Sequence, residues 1–264
     1  MAYYIEHLTV KELEYVLANE TKTAILPIGI VEQHGYHLPL GTDMYNTSEF
    51  LRLSRDRYEA VILPALNYCF SGGELTGTIN TNPQLFGAFV ADICAECVRI
   101  GFKNIAVILG HGGTDNHIAL KNSLEMFVRR NPQYEDITLS LVPMWHLSDT
   151  WMSAFNTKPE ADFHAGLIET SLMKFWKPEL VKDEIVEDAP EVCKMLRSDQ
   201  DWFEKRERIV DHPFVLEKVS QKEEVRVGVM GFPHEATAEV GKQVFEEVAE
   251  GFAAFIKLLN DRLK

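Results

Sequence analysis

Carboxylate and imidazole side chains, the residue types that hold hard or borderline divalent cations, crowd into the stretch Ile25 to Asp43, ILPIGIVEQHGYHLPLGTD. Glu32 and His34 stand two apart, so on an extended segment they point to the same side. Asp43 comes nine residues after His34, behind Leu38-Pro39-Leu40-Gly41-Thr42, where a turn can bring it back beside them. An apolar run stops at Gly29, so the loop begins where a strand gives out. His111 has the same setting, within Gly110-His111-Gly112-Gly113 after the apolar NIAVIL. Glycines there allow close backbone approach or φ > 0, which a ligand-bearing loop uses and a packed core rarely needs. The plainer alternative for either histidine is a glycine-rich turn with a satisfied ring.

Together, Glu32, His34, Asp43 and His111 offer two carboxylates and two imidazoles. Mixed nitrogen and oxygen ligands suit zinc, manganese or ferrous iron, not thiolate-preferring centres. A carboxylate such as Asp43 can bridge two ions, and ions about 3.5–4 Å apart would lower the pKa of a shared water enough to supply hydroxide at neutral pH. The implied reaction class is hydrolysis. A second group is His164-Ala165-Gly166-Leu167-Ile168-Glu169-Thr170-Ser171. Glu169 is either a further metal ligand or a carboxylate favoured by a helix N-terminus. His164 is either a turn histidine or a proton shuttle to a leaving amine or alkoxide, its ordinary pKa lying near working pH. His7, His146 and His212 read as structural or solvated. Cys94 and Cys97 form a C-x-x-C inside a helical pattern and have no second pair, so they are expected to face the core together.

The elements that must position these groups can be read from periodicity and punctuation. Thr9 to Glu12 has capping-box spacing and opens a helix running to Asn19. A strand follows over Thr23 to Ile30, a helix over Asp43 to Arg57, and a short buried strand over Ala60 to Pro64. Asn82-Pro83 opens a helix through Ile100, with Gly101 as its C-cap. Asn104 to Gly110 is a third strand, Asp115 to Arg130 a helix, and ITLSLVPMW a fourth strand. A helix carrying Glu169 stops before Pro178, charged Val181 to His212 reads as a surface excursion, and VRVGVMG as a strand. A long amphipathic helix from Glu235 to Lys264 closes the chain, with Phe245, Val248, Phe252, Phe255, Ile256 and Leu259 on one side, for its own sheet or for an interface. Wholly apolar strands alternating with helices indicate a parallel sheet covered on both faces, an α/β fold. Ligands of such sheets collect beyond the carboxyl ends of strands, which is where the Glu32 and His111 loops fall.

The 264 residues, 46% of them apolar, suffice for one sizeable core and are read as a single domain, 1–264. A formal charge of −14 repels nucleic acid and anionic lipid. No long apolar run or basic leader is present, so membrane association is not expected and the cytoplasm is the expected compartment. Four cysteines are too few for a disulfide framework.

EQHGYHLPLGTD, the strand ending in GHGG, HAGLIETSLM and GVMGFPHEATAEVG together resemble the creatininase (creatinine amidohydrolase) family, in order from about Leu8 to the last helix. The first of these motifs is highly specific; GHGG alone is weak. The resemblance implies a three-layer α/β/α sandwich with a mostly parallel central sheet and two divalent metal ions per subunit, zinc foremost, manganese or iron otherwise. It also implies a homohexamer, a small-molecule substrate and hydrolysis of a cyclic or linear amide. The family includes formamide deformylases, a peptidase for a peptide-derived cofactor and a hydrolase of a keto-inositol. Carried over by position, Glu32, His34, Asp43 and His111 match metal ligands, Asp43 in the bridging place, and His164 matches the proton-transfer histidine.

Creatinine-cleaving members carry a glutamate ligand two residues after the GH histidine, where this chain has Gly113; Glu169 is the candidate replacement and Asp115 the weaker one. Tyr36 replaces a frequent proline, and Gly73-Glu74-Leu75-Thr76-Gly77-Thr78 replaces an H-x-x-x-PGT segment. These departures turn the expectation away from creatinine itself and leave metal-dependent amide hydrolysis standing. Keto-inositol ring opening and a non-enzymatic small-ligand domain are the competing readings.

Overall fold

The computed structural model describes residues 1–264. In chain order the elements are β1 (Tyr3–Tyr4), α1 (Val10–Asn19), β2 (Thr23–Ile28), α2 (Thr42–Ser54), β3 (Val61–Ile62), α3 (Pro83–Ile100), β4 (Asn104–Leu109), α4 (Thr114–Arg130), β5 (Thr138–Pro143), α5 (Asp149–Asn156), α6 (Leu167–Trp176), α7 (Pro190–Ser198), β6 (Glu204–Glu207), β7 (Lys218–Gln221) and α8 (Ala238–Asp261). The central sheet has the order β1-β3-β2-β4-β5, and every neighbouring pair is parallel.

Period-two alternation divides the core into two layers. Ile25, Ile62, Ala106 and Ile108 point to one face, where α2, α6 and α8 supply Phe50, Leu172 and Phe252. Ala24, Leu26, Val61, Ile105 and Val107 point to the other, where α1, α3 and α4 supply Val16, Val90 and Leu120. The result is the three-layer α/β/α sandwich expected. Val248, Phe252, Ile256 and Leu259 of α8 are buried on the chain's own sheet, as is Phe245. Cys94 and Cys97 face the core together. No helix is long and apolar enough to cross a membrane.

Pro27 sits inside a strand paired on both sides, a place that normally needs a backbone donor. Its carbonyl accepts from Leu66, so Pro27 faces the side where β3 has already ended at Ile62, and no donor is required.

Two expectations need correction, and two elements are added. Val225–Gly231 forms no strand: it is extended loop, bridging only at Met230 to His164. Its amides go to a carboxylate instead, with Asp188 accepting from Arg226, Val227 and Gly228 at 2.7, 3.0 and 2.7 Å. Within Val181–His212 the chain forms α7 and β6, and β6 pairs antiparallel with β7. Tyr3–Tyr4 adds an edge strand, and Asp149–Asn156 a short helix, neither of which the pattern announced.

Candidate metal centre

The loops that carry the expected ligands leave the sheet side by side, because β2 and β4 are neighbours in parallel register with Ile28 opposite Leu109. Space at those strand ends is what admits α2. A Cβ on Gly29 would lie 2.9 Å from the Asp43 carbonyl oxygen, and one on Gly110 only 2.4 Å from it. The first turn of α2 therefore packs directly on two glycines, and the Asn46 amide fastens it by donating to the Gly110 carbonyl at 3.0 Å. Asp43 lies in that first turn, 1% exposed, where the helix dipole favours a carboxylate. The Glu32 loop closes on itself through the Glu32 amide donating to the Leu40 carbonyl, and turns at Gly35 with φ 63°.

Asp43 stands between two histidines. Its Oδ2 is 3.1 Å from His111 Nδ1, which also lies 3.0 Å from Glu32 Oε2. Its Oδ1 is 3.5 Å from His34 Nε2, which also lies 3.5 Å from Glu169 Oε2. Two groups of potential ligand atoms thus share Asp43: Glu32, Asp43 and His111 on one side, and His34, Asp43 and Glu169 on the other. Glu32, His34 and His164 form a further group within reach, and the His34 and His164 rings lie 4.2 Å apart. The ring of His34 is oriented by Nδ1 donating to the Glu32 carbonyl at 3.1 Å, which turns Nε2 to the carboxylates.

Glu169, in the first turn of α6, faces both a backbone amide and His34. Its Oε2 accepts from the Ala165 amide at 2.7 Å, and the same oxygen faces His34. The cap of α6 is Asp162, buried, which accepts from Leu167, Ile168 and Phe232 at 2.6, 3.0 and 3.0 Å. Gly166 and Gly231 leave it room, since a Cβ on either would come within 2.0 and 2.1 Å of Asp162 Oδ1. His164 Nε2 donates to the Gln33 carbonyl at 2.8 Å. The residue after it, Ala165, has φ 51°, a strained value for a side chain and one found where a neighbouring group is held for function.

The electrostatics favour positive charge. Burial pushes the Glu32 carboxyl up, but the His111, His164 and His34 charges outweigh it and hold it well below the usual carboxylate range. Glu169 is likewise raised by burial and lowered more by His34. Burial pulls His34 and His111 down, yet the facing carboxylates of Asp43 and Glu169, and of Glu32 and Asp43, raise both well above 6.5. His34 Nε2, Glu32 Oε2 and His111 Nε2 are buried without a hydrogen-bond partner. Unpaired buried polar atoms are costly. Their convergence, with the N and O donor set, fits a pocket built around divalent cations.

Asp115 lines the same cavity but lies outside these ligand groups, which include Glu169. Gly113 has no room for a side chain: a Cβ there would stand 2.5 Å from His111 Nε2 and 3.1 Å from the Phe70 carbonyl. Several functional contacts escaped the sequence. Ser71 donates to Glu32 Oε1. His37, inside the specific motif, is buried and bonded to Thr170 Oγ1 at 3.0 Å, its pKa lowered to about 4 by burial, so it docks the loop on α6. Asp162 had only its position before His164 to recommend it. The cavity, about 340 Å³, is lined by Ser71, Trp145 and Phe163, and also by Leu196, Asp201 and Phe203 from the segment read as a surface excursion.

With that geometry in place, comparisons with known proteins agree on one lineage. The family model described as creatininase, creatinine amidohydrolase, matches residues 6–256. Creatinine amidohydrolase of Pseudomonas putida is 25% identical over 201 residues, 71% of this chain and 76% of that one. The mycofactocin precursor peptide peptidase of Mycolicibacterium smegmatis is 27% identical over 247 residues, 88% and 83% of the two chains. Among solved structures, a mutant creatininase of the Zn-Zn type superposes with a TM-score of 0.76 over 98% of this chain and 99% of its own, at 22% identity. At that identity the likeness is one of fold.

Proposed function

The chain belongs to the creatininase family, and from that premise we propose that it is a metal-dependent amidohydrolase cleaving a C–N bond in a small polar substrate. The observation that carries the proposal is Asp43, each of whose carboxylate oxygens faces a different histidine and carboxylate. Both curated relatives are named for cleaving amide bonds, which favours this reading over keto-inositol ring opening or a ligand-binding role.

Glu32, Asp43 and His111 would hold one divalent ion and His34, Asp43 and Glu169 the other, with zinc, manganese or iron compatible with the donor set. When bound, such ions polarise a carbonyl and lower the pKa of water. The chain's own residues do the rest. Glu169 is fixed by the Ala165 amide, and Glu32 by Ser71, so the carboxylates are oriented before substrate arrives. His164 keeps its Nε2 proton on the Gln33 carbonyl, which leaves Nδ1 to carry a proton to the departing amine. Trp145, Trp151 and Phe163 give the cavity part of its apolar lining. We take residues 1–264 as one hydrolase domain acting on a small molecule, in a homo-oligomer.

The test is an assay of metal-loaded protein against creatinine and a panel of small linear and cyclic amides. Turnover of at least one, with His164→Gln lowering kcat by about 10²-fold or more while metal content is unchanged, is expected. Metal-loaded protein inert to the whole panel would overturn the proposal.

A further inference from the structure

His164, the group assigned to carry a proton, stands in the link between α5 and α6, outside any helix or strand, so no regular element holds it. Its main chain is gripped on both sides by one residue. The Met230 amide donates to the His164 carbonyl at 2.8 Å, and the Met230 carbonyl accepts from the Phe163 and His164 amides at 2.8 and 3.3 Å. The ring is held separately, by Nε2 on the Gln33 carbonyl at 2.8 Å. The Gln33 side chain lies at the same ring nitrogen, its Nε2 3.2 Å away, and is itself fixed by Oε1 accepting from the Gly35 amide at 2.9 Å.

Both grips run back to Val225–Gly231. Gly228, with φ 75°, passes against the Gln33 carboxamide, and a Cβ there would stand 2.8 Å from Gln33 Nε2. Val229 packs on Gly35 of the metal loop, where a Cβ would come within 2.8 Å of its Cγ2. No strand ladder fixes this segment. What fixes it is Asp188, which accepts from the successive amides of Arg226, Val227 and Gly228. Such bonds are charge-assisted and stronger than neutral ones. A tether anywhere in the segment would close a surface loop. Here the last clamped amide belongs to the residue pressed on Gln33, two positions before the residue that grips His164. Asp188 does not line the cavity, whereas Val225, Gly228 and Met230 do, so one remote carboxylate holds part of the cavity wall in register with the proton carrier.

Resting on the role of His164 in the amidohydrolase reading, we propose that Asp188 is a positioning residue for His164. It acts through Gly228 on Gln33, which borders the ring, and through Met230 on the His164 main chain.

The ring proton of His164 reports on this directly. In zinc-loaded, full-length protein carrying nitrogen-labelled histidine, the Nε2–H held on the Gln33 carbonyl gives a resonance protected from solvent exchange, assigned by its loss in His164→Gln. Asp188→Asn keeps the side chain's shape but places an N–H donor where a backbone amide needs an acceptor. Exchange of the His164 ring proton should quicken about tenfold or more, as loss of a charge-assisted bond implies. Metal content, and the ring proton of His34 on the Glu32 carbonyl, should stay unchanged. Gly228→Ala, which crowds Gln33 and leaves Asp188 in place, should also quicken His164, and it decides the matter if Asp188→Asn does not fold. Wild-type exchange at His164 in these variants would overturn the proposal, and so would equal quickening at His34, the mark of general loosening. For any amide that is turned over, Asp188→Asn should lower kcat about tenfold with KM within about twofold, and lower it no further in a His164→Gln background. An equal loss in that background would overturn the route through His164. Absence of turnover or of bound metal would count against the hydrolase reading, while ring-proton exchange in the metal-free protein still reports on the clamp.

Discussion

Asp43 explains more of the site than any other residue. Both its oxygens are engaged, and its burial in the first turn of α2 is permitted by two glycines, one directly after β2 and one directly after β4. The ligand role proposed for it could be conjectured from EQHGYHLPLGTD, but Gly29 and Gly110 could not be linked to it before folding, since their contact is with its backbone. Gly113 tells the complementary story. Relative to creatinine-cleaving relatives it looked like a ligand lost; in the fold it is a ligand with nowhere to stand. Its φ is −54°, so space and not backbone conformation is the obstacle. Gly113→Glu should therefore push the His111 ring aside and reduce bound metal, not restore a creatinine-type centre. Elemental analysis checks this, and a variant that keeps full metal and gains creatinine hydrolysis would refute it.

At the level of elements, what was legible depended on whether the signal was local. The capping box at Thr9 forms as expected, with Glu12 and Thr9 bonding reciprocally, and Asn82 caps α3 through Gln84 and Leu85. Val225–Gly231 looked like a strand because its apolar alternation is local, whereas the carboxylate that satisfies its amides, Asp188, is 38 to 40 residues away. Asp162 joins α6 to the residue just after that segment by a bond from the Phe232 amide, 70 positions away. A third carboxylate of this kind is Glu247 on α8, which accepts from the Ser148 hydroxyl at 2.6 Å and from the Thr150 amide and hydroxyl at 3.0 and 2.7 Å. It anchors the start of α5, whose Trp151 walls the cavity. Burial raises its pKa, but these donors and Gln243 pull it down to about 2. A depressed carboxylate stabilises the fold above its unfolded value near 4.5 and ceases to do so as pH falls toward 2. Allowing for solvent screening, Glu247→Gln should cost about 1 kcal/mol at neutral pH. The difference in urea midpoint between variant and wild type should close as pH falls through that window. A difference that persists unchanged at acid pH would show that the charge is not what binds α5.

The whole molecule couples these levels, since the residues that meet at the centre are drawn from the loops after β2 and β4, from α2 and from α6. The α/β architecture and the loops' place at the strand ends were legible, because buried parallel strands read as apolar runs. The outer wall was not, because α7 and β6 bring distant charged residues over the cavity with no periodic signature. A centre built from so many elements must link metal occupancy to stability. Metal at about 100 times its Kd adds about 2.7 kcal/mol, worth roughly 5–10 °C in a chain of this size. Thermal unfolding of chelator-treated protein, with and without added zinc, measures this directly; an unchanged Tm would detach the centre from the fold. The most direct test of the central claim is metal stoichiometry in wild type and Asp43→Ala. About two ions per chain in the wild type, and fewer than about half an ion in the variant, follow from one carboxylate serving both sites. Two ions retained by Asp43→Ala, or none held by the wild type after zinc, manganese and iron have each been supplied, would contradict it.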